Sequence, residues 1–216
     1  MLLSPPIIRS PALRLFLVSF LILFFELVAI RFIPSQIRYV GYFSNVILLA
    51  SFVGIGLGTL FWKKIPLPTF LLPFSFFFFE IVVNNFGYDL VISSNQIIFF
   101  NLGSQRFTGE PIFLLPLIFL LVVFTLLLPS KMLGELLTKF EPLTAYSINI
   151  AGSILGILIF SLVSFWGGSP ALWFTTIVFV SFLLISRPKI AAWNLLYLLV
   201  FFPILTETYG IFLCGT

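Results

Sequence analysis

Histidine is absent from all 216 residues, and cysteine occurs once, as Cys214. Without His there is no imidazole base, no Ser–His or Cys–His nucleophile system, and no ligand for the commonest metal and haem sites. A single Cys permits neither an internal disulfide nor a thiol cluster. Charge is scarce too. Only 8% of residues are charged, against about 25% in an ordinary soluble domain. So few charges cannot cover a water-soluble protein of this size, and lipid must be the solvent for most of the chain. The net charge of +4 is small. Basic residues stand at the ends of apolar runs and not in a patch, which argues against a nucleic-acid surface.

What the chain has instead is apolar length: 61% hydrophobic residues, 30 of them Phe. A bilayer takes about 20 mostly apolar helical residues to cross. Seven runs qualify, over 12–33, 40–62, 66–83, 111–129, 143–166, 170–186 and 190–206. The first superficially resembles a signal peptide, but Glu26 interrupts it and no small-x-small cleavage site follows, so it reads as an uncleaved span. Lipid offers the backbone no hydrogen bonds, and uninterrupted runs without period-2 alternation select helices over a barrel. The expected fold is therefore all-α: one polytopic transmembrane helix bundle of about seven spans filling 1–216.

Basic residues set the expected orientation. With the N-terminus inside, Arg9, Arg14, Lys63, Lys64, Lys131, Lys139, Arg187 and Lys189 are cytoplasmic, against Arg31, Arg38 and Arg106 outside. The bias puts the N-terminus inside, with Arg31 and Arg38 discordant. The polar stretch 84–110 becomes an external loop, and its β-prone runs 88–92 and 96–100 suggest a small hairpin. Opposite it, 131–142 mixes charge with Met132, Leu136 and Phe140 at i, i+4 and i+8, a pattern for a short interfacial helix.

Gly54-Ile55-Gly56-Leu57-Gly58 copies a nucleotide-site spacing, but such sites need a strand, a turn and a nearby acid. Here the nearest acids, Glu26 and Glu80, belong to other spans. Ala50, Gly54 and Gly58 make instead a small-xxx-small ridge for close helix packing, and Gly152 with Gly156 makes a second. Asn149 and Ser153 share that second face. Asn149 and Tyr146, like Asn45 and Tyr42, are polar groups in apolar runs and should face protein. They serve there either in interhelical hydrogen bonds or in the wall of a partner or ligand site.

Glu26 is the sharpest anomaly. A charge deep in a span costs at least about 2.5–3.5 kcal/mol on insertion scales. Arg31 lies five residues on, about 140° round the helix, so the two cannot pair on one face. Glu26 is then either a structural partner for another helix or a functional group; Glu80 poses the same question less strongly. No final-span Lys is available for a retinal Schiff base.

Two stretches carry a family likeness. Glu26-Leu27-Val28-Ala29-Ile30-Arg31 with Gly41-Tyr42-Phe43 and the glycine ridge, and Ala145-Tyr146-Ser147-Ile148-Asn149-Ile150-Ala151-Gly152-Ser153-Ile154-Leu155-Gly156, resemble the membrane domain of membrane-bound spermidine synthase-like proteins. The resemblance implies a membrane domain normally joined to a soluble C-terminal aminopropyltransferase or methyltransferase domain. This chain ends at Thr216 soon after its last apolar run. The expectation is thus a membrane half without the transferase: no catalytic residues, no cofactor, no metal. It would serve as a non-catalytic subunit or scaffold in a larger complex of the bacterial cytoplasmic (inner) membrane. Its partners would be the bilayer and other membrane subunits, with no nucleic acid. Two alternatives stay open. One is the membrane half of a split transferase. The other is a small carrier for a cation such as a polyamine, with Glu26 and Glu80 as counter-charges.

Overall fold

The computed structural model describes Ile8 and residues 10–41, 43–85 and 113–185. The expected hairpin runs, the seventh apolar run and Tyr42 lie outside these residues. Every element described is helical: α1 (Pro11–Gln36), the single turn α2 (Arg38–Gly41), α3 (Ser44–Leu60), α4 (Leu72–Asn85), α5 (Leu114–Leu137), α6 (Pro142–Phe165) and α7 (Pro170–Leu184). Three of them, α1, α5 and α6, are long and apolar enough to cross a membrane.

Local chemistry explains the boundaries. Ser10 caps α1, its side chain accepting from the Leu13 N–H, and Pro11 opens the helix where a missing N–H costs nothing. Pro66 and Pro68 push the residues before them out of the helical region. The third span therefore starts not at 66 but at Leu72, after an extended stretch and a 3-10 turn over Thr69–Leu71. Its 14 residues reach about 21 Å, short of a hydrocarbon core of about 30 Å. At the far end of α6, Gly167 takes φ +70°. Gly168 N–H bonds to Val163 O at 2.9 Å and Gly167 N–H to Ser164 O at 3.2 Å. That paired closure needs the left-handed residue glycine supplies, and Pro170 then restarts the chain as α7.

One expectation is overturned. Residues 131–137 are not a separate interfacial helix; they continue α5, which passes through Pro129 and ends at Leu137. Met132 and Leu136, which suggested an amphipathic surface helix, are buried in the bundle, as is Leu133. Gly134 seats against the Thr59 backbone of α3. Packing on α3 carries the helix on, leaving only 138–141 as the connection to α6.

The core is organised around α1. It is apolar on nearly every side, and such a helix belongs in the middle of a bundle. Some 61% of its most apolar stretch is buried, against 17% for α6. Aromatic contacts fix which neighbour lies where. Phe25 meets Phe76 and Phe79 of α4 at 4.8 and 4.9 Å, Phe32 meets Phe174 of α7 at 5.0 Å, and Phe24 meets Phe160 of α6 at 5.7 Å. Helix α5 packs on another side of α1 and carries α3 on its outer face.

Candidate functional site

Both glycine ridges are occupied by this chain's own helices. A Cβ on Gly54 would stand 2.9 Å from Val123 O, and one on Gly58 would stand 2.5 Å from Ser130 Cβ and 2.7 Å from Leu127 O, all in α5. On α6, a Cβ on Gly152 would run into the Phe16 carbonyl of α1, and one on Gly156 would stand 2.7 Å from Phe20 O. Residue order shows direction. In α1 and α6, 16 pairs with 152, 20 with 156 and 24 with 160; in α3 and α5, 54 pairs with 123 and 58 with 130. Each pair therefore runs parallel, in the small-residue geometry that lets two backbones touch. Gly56 faces open space, so the third glycine of the motif belongs to neither a ridge nor a loop.

The polar residues separate. Asn149 turns into the α1–α6 seam, where Ser19 Oγ donates to its Oδ1 at 2.8 Å, with the Leu15 carbonyl as the alternative acceptor at 2.9 Å. Ser153 beside it is half-buried. Asn45 and Tyr146, expected to face protein, do not: Asn45 is exposed in the first turn of α3, and Tyr146 is 62% exposed near the start of α6. Each sits within a turn or so of a helix end, where interfacial water can satisfy an amide or phenol. Ser19 was the residue sequence reasoning missed; its signal was a hydroxyl within the first apolar run.

Glu26 is buried, 7% exposed, and among the described residues it has no ion pair or hydrogen bond. Arg31 is exposed on another face of α1, its guanidinium 5.4 Å from the centre of the Trp173 ring of α7. This cation–π contact answers where the discordant arginine goes. Glu80 is 6% exposed in α4, with Oε1 buried and without a hydrogen-bond partner. It lies next to Phe79, which touches both α1 and α7. Among the described residues no three His, Cys, Asp or Glu side chains gather closely enough to hold a metal ion.

Compared with protein-family models, with curated proteins and with solved structures, the chain matches none.

The remaining charges of the described residues collect at one end. Helix α3 turns back from α1, α4 turns back from α3, and α5 runs parallel to α3. Arg14, Lys63, Lys64, Lys131 and Lys139 therefore share the end where α1 begins. Lys63 and Lys64 lie over the rings of Trp62 and Phe61. Lys131 Nζ donates to Leu67 O at 2.6 Å, tying the 61–71 connection to α5. Lys139 pairs with Glu135 at 2.8 Å on an exposed turn.

Proposed function

We propose that this chain is a multi-pass membrane protein of about seven spans, N-terminus inside, acting as a non-catalytic subunit or scaffold of a larger complex in a bacterial-type cytoplasmic membrane. We propose further that it is related to the membrane domain of spermidine synthase-like proteins. The collection of five cationic side chains at the end where α1 begins supports the orientation.

One observation carries the subunit reading: the one-sidedness of α6. Its Gly152–Gly156 edge is seated on the α1 backbone, with no room for a single methyl group. Its other faces, including Ile154, Leu158, Leu162 and Phe165, are exposed and meet no other described helix. A span of 24 residues held along one edge leaves a broad surface for neighbouring spans. Native-state mass measurement after extraction in mild detergent tests this reading. The expected result is a defined assembly holding other membrane proteins in fixed ratio. A lone monodisperse monomer of 24.4 kDa overturns it.

The two buried carboxyl groups, Glu26 and Glu80, favour a second reading, a carrier for a cationic solute. Glu26→Gln then abolishes uptake of a polyamine such as spermidine into proteoliposomes, and unchanged flux disposes of the idea.

A further inference from the structure

Around α1 the described helices do not close. Helices α5 and α6 are joined at one end by 138–141 and touch little beyond it. Along α6 the contact with α1 moves from Phe16 and Ser19 to Phe20 and Phe24, away from the side that α5 covers. Above that crossing, Leu23, Leu27, Ile30 and Pro34 of α1 are only half-buried. They recur at i, i+4, i+7 and i+11, so they form one stripe on an otherwise enclosed helix. Glu26 is the i+3 neighbour of Leu23 and the i−4 neighbour of Ile30, which puts it on the flank of this stripe. Its carboxyl group has no cationic partner among the described residues, and Arg31 is engaged with Trp173 on a different face.

We infer that this open side between α5 and α6 is the docking site for one transmembrane helix of another membrane protein, bearing a Lys or Arg at the depth of Glu26. The inference rests on the subunit reading above and names its contact. An apolar stripe alone would be met equally well by lipid tails, which are as apolar as leucine. The acid selects the occupant. An ionisable group at membrane depth is stabilised by pairing inside protein, and a basic side chain on an incoming helix supplies the complementary charge that no described residue gives Glu26.

The test uses the full chain in lipid vesicles with labelled synthetic polyleucine helices carrying one central Lys or, as control, one central Gln. By energy transfer, the Lys helix associates about tenfold more tightly than the Gln helix, the equivalent of the ~1.4 kcal/mol of a polar interhelical contact. Glu26→Gln, nearly isosteric, removes the preference, Glu26→Asp keeps part of it, and Glu80→Gln leaves it intact. Equal association of the two helices overturns the inference, as does a preference that survives Glu26→Gln. Self-association of the chain that shuts out the Lys helix overturns it by making a second copy the occupant. Native electrophoresis of source membranes separates the two levels of failure. Wild-type chain migrating alone defeats the subunit reading itself, whereas a complex indifferent to Glu26→Gln leaves that reading standing and defeats only the docking site.

Discussion

The α1–α6 and α3–α5 pairs solve one packing problem with different margins. In both, a peripheral helix lies parallel to its host and presents two glycines four residues apart. On α6, Gly152 stands so close to the Phe16 carbonyl that no methyl group fits. On α3, Gly54 leaves a methyl 2.9 Å from Val123 O and 3.1 Å from Leu126 Cβ, tight but nearer to tolerance. The α1–α6 seam also contains the Ser19–Asn149 hydrogen bond, whereas the facing hydroxyl of α5, Ser130, has no hydrogen-bond partner. Helix α6 is anchored by backbone proximity plus one polar contact, and α3 by backbone proximity alone, close at Gly58 and at Gly134 of α5 and looser at Gly54. The lesson is that a glycine ridge in lipid has graded importance, set by how near the opposing backbone comes.

One added carbon measures that grading. Gly152→Ala should have the largest effect, lowering the stability of the detergent-solubilised bundle by about 3 kcal/mol, because the clash is with main chain that cannot rotate away. Thermal unfolding followed by a thiol- or environment-sensitive dye reads it out. Gly54→Ala should cost about 1 kcal/mol, the lower end of overpacking penalties, in the same measurement. Equal losses at the two positions would erase the distinction drawn between Gly152 and Gly54. Gly56→Ala should reverse the sign, raising stability by about 0.5–1 kcal/mol through helix propensity, since nothing opposes its methyl. A loss there would mean that the third glycine also meets a neighbour. The smallest effect is expected of the polar contact. A double-mutant cycle of Ser19→Ala and Asn149→Ala should give a coupling of about 0.6 kcal/mol, as is usual for interhelical hydrogen bonds in membranes. Zero coupling would make the α1–α6 seam as dry as its counterpart.

Several particulars were legible in the residues alone. The apolar runs located α1, α3, α5, α6 and α7 to within a few residues at most of their ends, because a bilayer demands long helices and the chain supplied them. The paired glycines on α3 and α6 announced close packing without saying against what. Other features hid for identifiable reasons. Pro129 suggested an end to the fourth span, but the burial of Met132, Leu133 and Leu136 carried the helix onward. Asn45 and Tyr146 were placed toward protein by the cost of an amide or phenol in lipid, a cost that vanishes near a helix end. Arg31 broke the charge rule with no visible compensation, since the ring it covers is 142 residues away in α7.

Composition by itself pointed to lipid as the solvent, and long apolar runs without period-2 alternation pointed to the helices that the structure shows. What composition could not decide is which face of each helix turns inward. In water, the polar side of a helix declares its exposed face; in lipid both faces are apolar, so α1 and α6 look alike as text. Tertiary packing alone made α1 the enclosed centre and α6 the uncovered flank, through carbonyl-to-glycine approaches and the interlocking rings of Phe24, Phe25 and Phe32. It also decided that Glu26, an anomaly in the sequence, is buried without a cationic partner among the described residues.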